Sequence, residues 1–371
     1  MLPSRGGSRS AFNVIALDKD FQIVSLIRFT NLQWNRKYYE MGSFSIGIPL
    51  EQYSPDIKYI YTKDRPEMGK VTQRNYVEQL GYSYMQLSGY FLEKELDRHI
   101  AYPLSTTNIV NSPVWAFQSG NAEDVAYAYF EGFKEIATSS HSSVLNIAAK
   151  GSQSRGNKST HYRNGEALGY KVHDILKPSE MSYRVEYDFE NNVQMFSCWK
   201  GIDRTENNLE KNNPIIFSTK YGNIKKPNVL IDENSYKNAC IVLNEQTNND
   251  TSTFTSRAVF NLADSDTDIA FAYRDSTSNA SDYATSAEFL TALDTEGYNE
   301  LQNHIKTINV EFDAMEGSYE YMQDFDLGDK CSVEIHKMDL SLDARLIGCY
   351  EVMKAGKWTM TMEFGTPIIK K

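Results

Sequence analysis

The sequence lacks any long apolar run. No stretch approaches the roughly 20 apolar residues that a transmembrane helix needs, so an integral membrane protein is excluded. No apolar segment follows Arg5 and Arg9 near the start, and a secretory signal peptide is not expected. Basic residues are also few, because 38 Lys and Arg stand against 49 Asp and Glu and give a net charge of −11. An acidic chain is not attracted to DNA phosphates or anionic lipid, so specific nucleic-acid binding and membrane binding are not expected.

Cysteine is rare, and its spacing indicates no site. The four cysteines, Cys198, Cys240, Cys331 and Cys349, include no CxxC pair. Isolated thiols are typical of a protein that folds in a reducing compartment without disulfides. A chain of 371 residues can bury a core large enough to fold without such a link.

Motifs that carry chemistry are missing as well. The six histidines, at positions 99, 141, 161, 173, 304 and 336, form no HxxxH or HxH pair, and none lies within four residues of a cysteine. The GxSxG, GxxxxGK[ST] and GxGxxG patterns do not occur. Paired carboxylates are numerous, but they are expected on a solvated surface of an acidic chain. We therefore predict no catalytic, cofactor-binding or metal-binding residue, no cofactor, and no enzyme.

One segment resembles a calcium-binding loop only in part. Asp264, Asp266 and Asp268 alternate, and Asp275 occupies the twelfth position of the count. The sixth position, where the loop needs glycine for its sharp turn, is Ile269. The flanking segments also have the alternation of strands rather than the periodicity of helices. These aspartates are therefore interpreted as the polar tip of a hairpin.

What is present indicates a predominantly β protein of the α+β class. Alternating apolar and polar residues predict strands over most of the first hundred residues, again from Tyr183, and throughout the tail. Helical spacing predicts helices near 121–137, with Asn121 as the cap, and near 164–177. The Ser- and Gly-rich residues 151–162 are predicted to form a loop.

A second helical region is expected before the β tail. Thr285 and Glu288 have the spacing of a capping box, and apolar residues follow at helical spacing. Gly297 is predicted to end this helix, and a further helix is predicted to begin after it. Two other glycines, Gly69 and Gly328, are predicted to occupy turns with positive φ.

Two groups of segments resemble a known family. The first group is Ile60 to Val71 with Leu87 to Arg98, and the second is Asp326 to Val333 with Asp343 to Ile347 and Met362 to Gly365. The second group reads "LGD…V…aRL…FG". Together and in this order they resemble the baseplate hub proteins of phage tails and tailocins, the siphovirus Gp37-like tail hubs. The order of elements between them agrees, so the resemblance covers most of the chain.

The resemblance implies two tail-tube-like β-barrel or sandwich domains braced by α/β domains. Residues 11–100 would form the first, completed by strands within 214–262. Residues 101–213 would form an α/β segment with helices near 121–137 and 164–177, and 263–305 a linker and helical segment. Residues 306–371 would form the C-terminal part of the second tube-like domain.

The implied function is structural. Hubs of this family form a trimeric ring that adapts the hexameric tail tube to a central spike or fibre assembly and continues the channel. The implied partners are two further copies of the chain, the tail tube protein, a spike or tail-tip protein and other baseplate proteins, and in a phage DNA would pass through the lumen. Assembly would take place in the bacterial cytoplasm, and the mature location would be the virion tail or tailocin baseplate, in a contractile or a non-contractile system.

Two alternatives belong to other functional classes. A carbohydrate-binding adhesin would use the abundant aromatic residues, 12% of the chain, to stack on sugars. A cell-wall-degrading tail protein would need an added catalytic domain, and only seven residues follow Phe364, so this alternative is not expected.

Overall fold

The computed structural model describes residues 13–79, 81–98, 100–101, 117–140, 147–162, 166–248, 251–260, 267–274, 283–315, 318–354 and 356–365. The chain divides into two compact units. Unit 1 consists of Met1–Pro227 with Glu311–Phe364, and unit 2 consists of Asn228–Val310 with Gly365–Lys371. Among the described helices, none is long and apolar enough to cross a membrane.

Strands dominate the described part of the chain. Their bounds are β1 Val14–Leu17, β2 Ile23–Ile27, β3 Asn31–Lys37, β4 Ser43–Pro49, β5 Tyr59–Thr62, β6 Met68–Gln79, β7 Tyr82–Phe91, β8 Phe117–Asn121, β9 Ile147–Ala149, β10 Lys158–Tyr162, β11 Ser182–Asp188, β12 Val193–Trp199, β13 Asp203–Arg204, β14 Ile216–Ser218, β15 Ile224–Asp232, β16 Ala239–Asn248, β17 Thr251–Phe260, β18 Ile269–Arg274, β19 Thr307–Ala314, β20 Lys330–Ile335, β21 Leu340–Lys354 and β22 Lys357–Gly365. The helices are α1 Ala122–Ser140, α2 Leu168–Leu176 and α3 Ser286–Gln302, and a 3-10 helix spans Leu92–Arg98. The predicted fold class, predominantly β, is confirmed.

A 14-stranded sheet forms the framework of unit 1. Its order is β15-β19-β22-β21-β3-β4-β7-β6-β5-β1-β2, and β20 pairs with the first half of β21. Strands β13 and β14 run parallel to β20. Strand β3 lies between β4 and β21, so the N-terminal strands and the C-terminal strands form one continuous sheet. The domain boundaries given above remain predictions.

The N-terminal strands of this sheet contribute to an apolar core, as the alternation of apolar and polar residues along them predicts. Leu32, Trp34 and Arg36 are buried on β3, whereas the residues between them are half-buried or exposed. Phe44 on β4 lies in the same core, and the ring of Trp34 lies 4.7 Å from the ring of Phe91. Burial of each large apolar side chain stabilises the fold by about 1.5–3 kcal/mol.

Helices α1 and α2 pack with two smaller sheets in the middle of the chain. The sheets are β11-β12-β9 and β8-β10. The helical spacing that predicts α1 places Val125 and Phe130 in the core, where Phe130 stacks on Phe196 at 4.4 Å. The prediction of a loop over all of 151–162 is wrong, because Lys158–Tyr162 pairs with β8. Pairing with a distant strand overrides the local Ser- and Gly-rich composition there.

Unit 2 contains the sheet β17-β16-β18, with α3 packed on one face. Because β16 lies between β17 and β18, these two strands do not form a hairpin, and the interpretation of the aspartates between them as a hairpin tip is wrong. The predicted cap is confirmed, since the Glu288 amide donates to Thr285 Oγ1 at 3.2 Å. The prediction that Gly297 ends the helix is wrong, because α3 continues through it to Gln302. A Cβ at Gly297 would lie 2.7 Å from Val259 Cγ2, so the glycine allows the helix to approach the sheet.

Candidate functional site: a buried polar centre and an exposed apolar face

The C-terminal family-like signature lies at a tight turn in unit 1. Gly328 has a φ of +86°, as predicted, and a Cβ there would lie 2.4 Å from Cε2 of Tyr38. The corresponding prediction for Gly69 is wrong. Gly69 lies in strand β6, where a Cβ would lie 2.4 Å from the Phe44 ring. Glycine is thus needed at 328 for backbone and space, and at 69 for space alone.

Asp329 fixes the chain as it enters β20. Its Oδ2 accepts from Arg204 Nε at 2.8 Å and from the Asp326 amide at 3.0 Å. Its Oδ1 accepts from the Ile202 amide at 2.7 Å. The residue is 4% exposed, so these bonds satisfy a buried carboxylate that would otherwise be costly. The signature aspartate therefore ties β20 to β13.

Arg345, the arginine of the same signature, is buried against the turn. Its Nη2 lies 2.9 Å from Glu180 Oε2, and its Nη1 donates to the Gly328 carbonyl. Its guanidinium lies 5.7 Å from the centre of the Tyr38 ring, and the Tyr38 hydroxyl donates to the Glu180 carbonyl at 3.0 Å. Burial raises the pKa of Tyr38 to about 12, so this hydroxyl stays protonated at neutral pH.

A second arginine group extends this centre toward the N-terminal strands. Arg36 Nε lies 2.5 Å from Glu67 Oε1, and its Nη1 lies 2.8 Å from Asp326 Oδ1. Arg65 Nε donates to Glu351 Oε2 at 2.7 Å, and its Nη2 contacts the other oxygen of the same carboxylate. We refer to the two arginine groups with Asp329 as the polar centre. Breaking a buried pair of this kind costs about 3–5 kcal/mol.

Sequence reasoning found only part of the polar centre. Gly328, Asp329 and Arg345 lie in a segment that the resemblance singles out, but their partners Glu180 and Arg204 do not. Arg36 could have been identified from the sequence, because it occupies the same alternating positions of β3 as the buried residues Leu32 and Trp34. A charged residue in an apolar register needs a buried partner.

The polar centre stabilises the fold of unit 1. Its charged groups are paired with opposite charges, an arrangement that holds distant segments in one geometry. Within the described ranges, no group of three or more His, Cys, Asp or Glu could hold a metal ion. His173 is buried, and burial lowers its pKa to about 3, which keeps the ring neutral. His99 and His141 lie outside the described residues, as do Asp264, Asp266 and Asp275 of the partial calcium motif.

Unit 2 presents an apolar surface, which we call the outer face. It is the side of the β17-β16-β18 sheet opposite α3. Its large side chains are 39–60% exposed: Ile241, Phe254, Phe260, Ile269, Phe271 and Tyr273. With roughly 200 Å² for each large side chain, these six expose about 600 Å², the upper limit of what a monomeric protein normally leaves to water. A surface of this kind is typical of a contact with another protein.

Comparison with solved structures gives the fold. The tail protein from Neisseria meningitidis MC58 superposes with a TM-score of 0.57 over 96% of both chains, at 12% identity. The 43 kDa tail protein of prophage MuSo2 from Shewanella oneidensis gives 0.59 over 96% of this chain and 98% of that one, at 10% identity. The prophage tail protein gp18 from Listeria monocytogenes gives 0.52 over 95% and 94%, at 11% identity.

Comparison of sequences gives the family. No curated protein matches the chain. The family model described as siphovirus ReqiPepy6 Gp37-like protein matches residues 13–366, which is nearly the whole chain. It includes the segments that carry the resemblance and all of the polar centre. The chain therefore belongs to the siphovirus ReqiPepy6 Gp37-like family of phage tail proteins.

Proposed function

We propose that the chain is a structural baseplate hub of a phage tail or phage-tail-like bacteriocin. Three copies form a ring that joins the hexameric tail tube to the central spike or fibre assembly and continues the channel. The partners are the tail tube protein, a spike or tail-tip protein and other baseplate proteins. The role is non-enzymatic, assembly takes place in the bacterial cytoplasm, and the net charge of −11 suits a channel wall that does not retain DNA. Family membership and the fold shared with prophage tail proteins support this role.

The observation that carries an assembly role is the outer face of unit 2. Its exposed aromatic and aliphatic side chains share one side of a three-stranded sheet whose other side already packs on α3. Glu245, which accepts a hydrogen bond from the Tyr273 hydroxyl, is the charged side chain among them. Water contact with so much apolar surface is unfavourable, and a neighbouring protein in the particle would remove it.

Quantitative mass spectrometry of purified particles tests the hub role. A single trimeric ring predicts about three copies of this chain per particle, far fewer than the tube protein. Many copies would instead indicate a tube or sheath component and overturn the proposal. Absence from particles would also overturn it and favour the adhesin alternative, which a glycan array would then test.

A variant of the outer face tests the assembly surface itself. The double variant Phe254→Ser, Phe271→Ser removes two exposed rings without touching the α3 side of the sheet. We expect the isolated chain to fold as before but to be lost from particles. The matched control is Leu209→Ser, a 97% exposed residue outside the described strands, which should be incorporated normally. Normal incorporation of the double variant would exclude the outer face as a contact.

A further inference from the structure

A small cavity adjoins the polar centre in unit 1. It lies among β3, β11, the end of β12 and the 3-10 helix Leu92–Arg98. The polar residues that line it are Arg36, Lys37, Glu67, Glu93, Tyr183, Arg184 and Trp199. The centre of a water-sized sphere can occupy about 20 Å³ of it. Because one water molecule needs roughly 10–15 Å³ by this measure, the cavity has room for one.

Four of the residues that line the cavity each carry a buried side-chain atom with no hydrogen-bond partner within the protein. The atoms are Glu67 Oε2, Glu93 Oε2, Arg184 Nε and Trp199 Nε1. Glu67 and Glu93 are only 9% and 8% exposed. Each unsatisfied buried group costs about 1–3 kcal/mol, so four of them in one cavity demand an explanation.

Three of these side chains are held by other contacts. Glu67 uses its Oε1 for Arg36, so the other oxygen stays free. The Arg184 guanidinium lies 5.2 Å from the centre of the Trp199 ring and pairs with Glu186 through Nη1, at 3.2 Å. Two acceptors and two N–H donors without partners therefore belong to residues around one small cavity.

The charged and polar groups that line the cavity restrict which molecule or ion can bind there. A metal cation is disfavoured, because two arginines, a lysine and an indole N–H line the cavity. An anion is disfavoured because the lining cations are already paired, Arg36 with Glu67, Lys37 with Glu363 and Arg184 with Glu186, and an organic molecule is too large. A neutral molecule that both donates and accepts fits, and water needs two to four such partners. We propose that the cavity is the binding site of one ordered water molecule, which accepts from Trp199 Nε1 and Arg184 Nε and donates to Glu67 and Glu93.

This water would add to a direct bond between parts of unit 1, in which the Tyr183 hydroxyl donates to the Glu93 carbonyl at 3.3 Å. Trp199 and Arg184 belong to the β11–β12 hairpin, whereas Glu67 precedes β6 and Glu93 lies in the 3-10 helix. Burial, with a contribution from Glu67, raises the pKa of Glu93 to about 8. A protonated Glu93 can donate to the water or accept from it, so the site is compatible with either orientation. The inference is independent of the proposed hub role.

A crystal structure of the full chain, at a resolution that shows ordered waters, tests the site. Crystals are soaked in rubidium chloride, so that a cation would give an anomalous signal. The expected result is a water peak within hydrogen-bonding distance of at least three of the four atoms, without anomalous signal. A rubidium peak, an empty cavity, or direct bonds among the four side chains would each overturn the proposal.

Solution NMR offers a second test with a control inside the same chain. Trp34 Nε1 is also buried without a partner, but Trp34 does not line the cavity. We expect a cross-peak between long-lived water and the indole proton of Trp199 and none for Trp34, with Trp199→Phe to assign the signal. Equal signals at both indoles, or none at Trp199, would contradict a specific water site.

Discussion

Arg345 and Glu180 form a buried ion pair across 165 positions of sequence, with Nη2 and Oε2 at 2.9 Å. Both side chains are less than 10% exposed. Arg345 belongs to a segment by which the family can be recognised, and Glu180 follows α2 in the middle of the chain. The pair therefore joins the C-terminal strands to the α/β part of unit 1. We expect its loss to lower the stability of the whole unit.

Replacement of Arg345 by Met should destabilise the protein strongly. It leaves the Glu180 carboxylate buried without its main partner, a change that costs about 3–5 kcal/mol. The loss of stability should be near the lower limit of this range, because Lys200 Nζ lies 3.6 Å from Glu180 Oε2 and can still pair with it. Urea denaturation measures the free energy of unfolding. The double variant with Glu180→Gln should recover part of the loss.

An exposed ion pair provides the control for this prediction. Lys226 Nζ lies 2.7 Å from Asp313 Oδ2, but the lysine side chain is 82% exposed. Lys226→Met should change the free energy of unfolding by less than about 1 kcal/mol. If Arg345→Met costs no more than this control, the ion pair of Arg345 does not stabilise unit 1.

Replacement of Gly328 by Ala should be more costly than the same change at another glycine with positive φ. The matched control is Gly222, whose φ is +68° and where a Cβ would have no atom within 4 Å. The control should lose about 1–2 kcal/mol from backbone strain alone. Gly328→Ala adds the collision with the buried ring of Tyr38, so its thermal unfolding midpoint should fall further. Equal midpoints would show that the turn relaxes away from Tyr38.

The sequence predicts what is local in this fold and misses what is distant. Helical periodicity is sufficient to predict α1, and the spacing of Thr285 and Glu288 is sufficient to predict the cap of α3. Both features depend on residues a few positions apart. The continuation of α3 through Gly297 depends on Val259 in another strand, and no local pattern shows it. The pairing of Arg345 with Glu180 is equally invisible, although the resemblance selects the arginine.

Thiol reactivity should distinguish the folded from the unfolded chain. Cys198, Cys240, Cys331 and Cys349 are all free and buried. Burial raises the pKa of each thiol and so removes the reactive thiolate at neutral pH. We expect Ellman's reagent to label none of them rapidly in the native protein and all four in guanidinium. One fast-reacting thiol in the native protein would show local opening, and labelling of single Cys→Ser variants would locate it.

Glu93 should make the protein less stable as the pH rises. Burial and the nearby Glu67 raise the pKa of Glu93 to about 8, while Arg36 lowers it without cancelling the effect. Since an unfolded glutamate has a pKa near 4.3, the folded state binds the proton more tightly between about pH 4.3 and 8. Its contribution to stability is present below that window and lost as the pH rises through it, by up to about 1.4 kcal/mol per pH unit.

The variant Glu93→Gln isolates this contribution, because an amide keeps the size of the side chain and cannot ionise. Denaturation from pH 5 to pH 8 should show a smaller fall in the free energy of unfolding for the variant than for the wild type. Glu51→Gln, at an exposed position, should leave the wild-type slope unchanged. Identical slopes for wild type and Glu93→Gln would mean that the Glu93 carboxyl is ionised in the folded protein. The buried cavity would then hold a carboxylate, and the water bound there would have to donate to it.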